Sequence, residues 1–230
     1  MKIKNCITAF VVLFAINQSL AQDKKFKVHT VAFYNVENLF DTINDPDTYD
    51  EEYTPVNGWT KKNYEKKLDN LSRVLIELGT SDMQKNSPVI IGVCEVENRR
   101  VLEDLVKHPR LIDKGYKVVH FDSPDKRGID VGFLYQEKYF QPTSYINVPL
   151  YVYQNEETTA KKSKKSEGDD DEIEKNKNYD TKTKRIYTRD QLLVTGMLDG
   201  EEVSVIVNHW PSRSGGEKRS SPYREAAGRL

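Results

Sequence analysis

Pro88-Val89-Ile90-Ile91-Gly92-Val93-Cys94-Glu95 is an unbroken apolar run that ends on a carboxylate. A run of this length with no polar alternation predicts a strand buried on both faces. A carboxylate at the C-terminal end of such a strand faces the crevice where α/β proteins place ligands. The next helix opens almost at once, over Asn98 to His108, with Val101, Leu102 and Leu105 turned inward.

The neighbouring segments extend the pattern. Lys61 to Leu78 reads as an amphipathic helix, with Tyr64, Leu68, Leu71, Leu75 and Leu78 on one stripe, Thr60 as N-cap and Gly79 as stop. Val28 to Tyr34 alternates as a strand and runs into a polar, acidic loop from Asn35 to Asn57. Tyr116 to Phe121 and Ile129 to Tyr135 read as strands joined by the turn Ser123-Pro124-Asp125-Lys126-Arg127-Gly128. Thr143 to Tyr153 is a further strand. Leu192 to Leu198 and Glu202 to Asn208 flank Asp199-Gly200, the favoured two-residue hairpin turn. Strands that alternate with helices and hairpins predict an α/β sandwich.

Two segments stand outside that core. Lys2 and Lys4 precede the apolar stretch Ile7 to Ile16, and Ser19-Leu20-Ala21 follows. This is the layout of a secretory signal over residues 1–21, too short to span a bilayer. The expected mature chain, 22–230, is secreted or periplasmic with no integral membrane segment. The signal carries two lysines and no acid, so its removal moves the net charge from −1 to −3. That balance excludes a strongly basic duplex-coating protein, and any nucleic-acid contact must be local. One cysteine, Cys94, remains after removal of Cys6, so no disulfide framework supports the fold. The second segment, about 156–184, is nearly all charged or small polar residues and reads as a disordered insertion between two strands.

The residues suited to chemistry sit at strand ends. Glu95 could hold a hard divalent cation, which takes oxygen ligands. The amide oxygen of Asn35 could accept a metal or orient a carboxylate. His209, in the run Asn208-His209-Trp210-Pro211-Ser212-Arg213-Ser214-Gly215-Gly216, could donate to a phosphoryl oxygen. Arg127 and Arg189 offer guanidinium forks for phosphate. Each has an ordinary structural explanation when taken singly. No Gly-rich P-loop, His-x-x-x-His pair, Cys-x-x-Cys pair or Gly-x-Ser-x-Gly elbow is present.

In order along the chain, Phe33 to Asp41, Gly92 to Asn98, Arg127 to Tyr135, Asn208 to Gly216 and Arg224 to Ala227 together resemble the endonuclease/exonuclease/phosphatase family. The resemblance implies a four-layer sandwich of two mixed β-sheets flanked by helices. It implies Asn35 and Glu95 at the metal site, His209 on the scissile phosphate, and Arg189 as a phosphate contact. Asp130 matches a recurrent acid of unassigned role. The implied reaction is attack of water on a phosphoester, foremost by a phosphodiesterase or endonuclease. Mg²⁺ is the expected cofactor, with Mn²⁺ or Ca²⁺ also accepted by oxygen ligands. A monomer acting on a phosphoester, nucleic acid included, is expected. The family's later Gly-Asp-x-Asn and Asp-His motifs do not occur before Leu230. The expectation is therefore a sandwich incomplete at its C-terminal end and inactive alone. An inert phosphate- or nucleic-acid-binding remnant, or a phosphatase of small molecules or lipid headgroups, are the other readings.

Overall fold

The computed structural model describes residues 27–155 and 183–210. Residues 1–26, 156–182 and 211–230, which take in the expected signal segment and most of the expected insertion at about 156–184, lie outside them; the last two residues of that insertion, Thr183 and Lys184, belong instead to a strand, Thr183–Ile186. The first sheet has the order β1-β2-β4-β3, built from β1 (Val31–Leu39), β2 (Ile90–Val96), β3 (Tyr116–His120) and β4 (Asp130–Gln136). β1 runs parallel to β2, and β4 is antiparallel to both β2 and β3, so the sheet is mixed. The second sheet, β5 (Phe140–Val148), β8 (Gln191–Leu198) and β9 (Glu201–Val207), is antiparallel with order β5-β8-β9. A two-stranded ribbon joins β6 (Val152–Asn155) to β7 (Thr183–Ile186).

Two helices cover one face of the first sheet. On α1 (Lys61–Glu77) the stripe Tyr64, Leu68, Leu71 and Leu75 is buried. α2 (Arg99–Val106) buries Val101, Leu102, Leu105 and Val106. Both pack on Ile91, Val93, Val96 and Leu134 of the sheet. The opposite face of the same sheet, through Ile90, Cys94, Val131 and Phe133, meets Phe140, Leu192, Val194 and Val207 of the second sheet. β2 therefore feeds two cores, the physical reason for its continuous apolar run. The sandwich is present, and the described residues supply three of its four expected layers: helices, sheet and sheet.

Several boundaries differ from the sequence expectation. β1 continues past Asn35 to Leu39 because its pairing jumps from Asn35↔Cys94 to Leu39↔Val96. Glu37 and Asn38, with φ of 54° and 61°, absorb the extra length as a bulge. The single strand expected over Thr143 to Tyr153 is two strands, because the Leu150 amide leaves the ladder and donates to Asp190 Oδ1 at 3.0 Å. Thr60 occupies the N-cap of α1, yet its hydroxyl donates to Asn63 Oδ1 at 2.8 Å rather than capping the backbone. Asn98 does cap α2, accepting from the Val101 amide at 3.1 Å. Asp199 and Gly200 both take positive φ, 50° and 94°, as a primed hairpin turn requires.

Cys94 is 1 % exposed, and burial pushes its thiol up to about 12. Alkylation by iodoacetamide at pH 8 is expected to proceed only through opening of the inter-sheet core. Native-state labelling at the rate of an unfolded control would contradict this packing.

Candidate active site

The two sheets bring the ends of β1, β2 and β9 together. Asn35 Nδ2 donates to Glu95 Oε1 at 2.9 Å, and His209 Nε2 lies 3.5 Å from the same oxygen. The backbone sets this up in two ways. Glu95 takes φ 65° where the β2–β4 pairing shifts between Cys94 and Val96. A bulge there lifts its carboxylate out of the ladder; non-glycine residues in this conformation are uncommon and concentrate at functional sites. Asn35 sits at the matching irregularity of β1, and its Oδ1 accepts the Glu37 amide at 2.7 Å. With its oxygen engaged and its NH₂ on the carboxylate, Asn35 orients Glu95.

His209 arrives from the other sheet. A Cβ added at Gly92 would meet Val207 Cγ2 at 3.1 Å and Phe33 Cδ2 at 3.3 Å. Glycine at this position lets β9 seat closely on β2, and His209 lies just past the end of β9. Gly92→Val is expected to push the sheets apart, destabilise by about 2 kcal/mol as overpacking does, and separate His209 from Glu95. A thermal melt unchanged from wild type would show that the seat is not tight.

Burial lowers His209 to about 4, helped by Arg189 and Arg127 and opposed by Glu95 and Asp125. The imidazole is thus neutral at neutral pH. Its contact with Glu95 is polar rather than ionic, and the neutral ring carries a single N–H.

The two arginines meet on one acid. Arg189 Nη1 donates to Asp125 Oδ2 at 3.0 Å, and the pair is buried, with side chains 8 % and 6 % exposed. Arg127 reaches the same carboxylate through Nε at 3.3 Å and Nη2 at 3.4 Å, and through its own amide at 3.0 Å. Desolvation alone would raise Asp125, but these bonds together hold it below the ordinary carboxylate value. Arg189 Nη2 also approaches the His209 carbonyl at 3.5 Å, while its Nε–H is buried with no partner among the described residues. Five residues selected from the sequence, Asn35, Glu95, Arg127, Arg189 and His209, are therefore linked by a chain of contacts.

Sequence reasoning missed Asp125, which read as a turn residue. A signal was available: two candidate phosphate arginines need an acid to hold their forks, and Asp125 lies two residues before one of them. Tyr53 was also missed. It stacks on Phe40 at 4.0 Å between ring centroids, and burial raises its hydroxyl to about 12, with Glu95 acting in the same direction. Lys67 donates to the Glu37 carbonyl at 2.9 Å, and desolvation lowers its ammonium.

Asp130 stands apart from this group. Its Oδ2 meets His120 Nε2 at 3.1 Å and its Oδ1 accepts from the Ser123 amide at 2.9 Å. His120, Asp122 and Asp130 bring one ligand atom each within 4.8 Å of one another, a second grouping that could hold a metal ion. The buried pair is already satisfied internally, and it ties Ser123 to the start of β4. Asp190, next to Arg189, is likewise structural, accepting from Asn147 and Leu150. A cleft of about 700 Å³ opens along β3, lined by Arg99, Tyr116, Phe121, Tyr135 and Tyr145, and holds none of the five site residues.

The sequence profile described as Endonuclease/Exonuclease/phosphatase family matches residues 30–174 and 168–230. Among solved structures the chain is similar to the human Nocturnin catalytic domain with bound sulfate anion, at 16 % identity and a TM-score of 0.37, over 61 % of this chain and 43 % of that one. It is also similar to a humanized D. rerio TDP2, at 11 % identity and a TM-score of 0.42, over 80 % of this chain and 57 % of that one. The chain spans about half the length of these solved structures. No curated protein matches it. The profile covers well over half of the chain, and the chain belongs to the endonuclease/exonuclease/phosphatase family.

Proposed function

We propose that the protein is a divalent-metal-dependent hydrolase of phosphoester bonds, foremost a phosphodiesterase or endonuclease. The observation that carries the reading is the meeting of Glu95, Asn35 and His209 beside a clamped arginine pair. The donor set fits a hard cation. Glu95 supplies a carboxylate whose contacts with Asn35 and His209 both fall on Oε1, and Mg²⁺ needs only one or two carboxylates beside water and phosphate. Mg²⁺ bound there would offset charge on the phosphoryl group.

The chain's own residues supply the rest. Asn35 positions the Glu95 carboxylate. The neutral His209 ring donates a hydrogen bond to a phosphoryl oxygen without competing as a charged partner for Glu95. Arg189 is held by Asp125 with its Nε–H uncommitted, a donor suited to an oxyanion. Arg127, with its side chain 56 % exposed, adds positive charge at the rim. The reading includes export through residues 1–21 and action as a monomer.

The test is turnover on three substrates with Mg²⁺ and with chelator: plasmid DNA, a chromogenic phosphodiester and a chromogenic monoester. Metal-dependent nicking of DNA with His209→Ala inactive supports the nuclease. Activity confined to the monoester supports a small-molecule or lipid-headgroup phosphatase. Tight phosphate binding without turnover on any substrate supports the inert remnant.

A further inference from the structure

Among the described residues, one group of acid and histidine side chains outside the active site brings its ligand atoms together. His120, Asp122 and Asp130 each offer an atom within 4.8 Å of the other two. We propose that His120 and Asp122, backed by Asp130, form a second metal site, of the Zn²⁺ class and separate from the ion assigned to Glu95.

The hydrogen bond that satisfies the buried pair also prepares the ligand. Asp130 Oδ2 lies 3.1 Å from His120 Nε2, and an ionised carboxylate only accepts. The ring proton therefore sits on Nε2, and Nδ1 keeps its lone pair. A carboxylate behind the ring, fixing tautomer and orientation, is the usual support of a metal-bound histidine. Asp130 is itself held, its Oδ1 accepting from the Ser123 amide at 2.9 Å and the Ser123 hydroxyl at 2.5 Å. Asp122 Oδ1 lies on the other side of the ring, 3.8 Å from Nδ1. Two ligands on a tetrahedral zinc stand about 3.3 Å apart, given bonds of about 2.0–2.1 Å. The Asp122 side chain is 87 % exposed and free to close that difference.

Two other described histidines face an aspartate, and they show what sets this one apart. His29 shares Asp199 with Lys27, and His108 shares Asp69 with Arg110. Among the described residues Asp122 is paired with no lysine or arginine, so its charge is left for an ion. Only His120 has a second carboxylate on its ring among those residues.

The donor set selects the ion. An imidazole nitrogen beside a carboxylate suits Zn²⁺ and its neighbours Co²⁺ and Ni²⁺, whereas Mg²⁺ and Ca²⁺ take oxygen. His120 also lines the cleft along β3, which gives the ion an entry path and room for the waters that complete its shell. Bound there, the ion would tie Asp122 to the end of β3, one residue before the Ser123 that Asp130 holds. Both anchors lie at the head of the turn that carries Asp125 and Arg127, so occupancy would steady the arginine clamp.

The test is calorimetric titration of Zn²⁺ into the Glu95→Gln/His209→Ala protein, which lacks the active-site carboxylate and histidine. Saturable Zn²⁺ binding is expected, undisplaced by millimolar Mg²⁺. Asp122→Asn in that background is expected to weaken Zn²⁺ at least tenfold. Its Tm in EDTA should stay unchanged, because the side chain is exposed and the variant keeps its fold. Zn²⁺ at a hundredfold excess over its Kd is expected to raise the Tm of the Glu95→Gln/His209→Ala protein by about 5 °C or more. The same concentration should give the Asp122→Asn variant at most about half that shift. The proposal is overturned if the Glu95→Gln/His209→Ala protein binds no Zn²⁺, if Asp122→Asn binds it equally well, or if millimolar Mg²⁺ displaces it. None of these readouts depends on turnover, so failure of the phosphoesterase reading leaves the test intact.

Discussion

Arg189→Met is expected to lower the unfolding free energy by about 3 kcal/mol, the low end for breaking a buried ion pair. The variant removes the buried partner of Asp125 and leaves that carboxylate, 6 % exposed at its side chain, to Arg127 alone. Arg127 is an incomplete substitute, since its own side chain is 56 % exposed and its charge is screened by solvent. Arg127→Ala is accordingly expected to cost about 1 kcal/mol or less. Chemical denaturation of the two variants ranks them. Equal losses would contradict the assignment of Arg189 as the principal partner.

The sign of the pH effect follows. Asp125 is held below its ordinary value, so its contribution is present above the unfolded carboxylate pKa and is lost as pH falls through the lower folded value. The gap between wild type and Arg189→Met should therefore be full at pH 7 and close under acid. Adding Asp125→Asn to Arg189→Met removes the stranded charge and should recover part of the loss.

His209→Ala is expected to lower kcat by about 10² to 10³-fold, the range for losing one preorganised donor to a developing oxyanion. Stability should change less, because the ring is part-buried at the edge of the inter-sheet core. Burial and the two arginines hold the imidazole at about 4, and a divalent ion on Glu95 would act in the same direction. The wild-type rate should consequently show no inflection near 6.5, the ordinary histidine value. An inflection there that vanishes in His209→Ala would mean the ring works as a charged acid instead.

Local patterns with one dominant period were legible from the sequence. α1 was read from the stripe Tyr64, Leu68, Leu71, Leu75, because a helix that covers a sheet must place apolar groups at that spacing. β2 was read from Pro88 to Cys94, because only a strand between two cores is apolar on both sides. The hairpin at Asp199-Gly200 was read from turn chemistry. What escaped was decided by partners distant in the chain. From sequence β1 ends at Tyr34 because Asn35 to Asn38 look like loop, yet parallel pairing with β2 carries the strand across a bulge to Leu39. From sequence β5 runs on into β6 because nothing nearby marks the break, which depends on Asp190.

The site follows the same division. Asn35, Glu95 and His209 were found singly and weakly, and their order with the other motifs raised them together. The structure adds what spacing does not carry, that Asn35 and His209 meet on one carboxylate oxygen of Glu95. Asp125 was missed because Ser123 to Gly128 reads as an ordinary turn. Its burial arises only when Arg189, 64 residues away, folds onto it. The acidic loop, Asp41 to Asp50, likewise reads as solvated surface until Asp50 is seen to be buried.

The central claim is that Glu95 holds a divalent ion that assists phosphoester cleavage beside His209. The direct test is the rate of bis(p-nitrophenyl) phosphate hydrolysis by wild type and Glu95→Gln, each with Mg²⁺ and with EDTA. Against the expectation of inactivity, we propose that the residues present suffice for catalysis, so that wild type shows Mg²⁺-dependent turnover, abolished by EDTA and reduced at least about 10²-fold in Glu95→Gln. Wild-type turnover that survives EDTA, a Glu95→Gln rate equal to wild type, or no turnover with Mg²⁺ would contradict it.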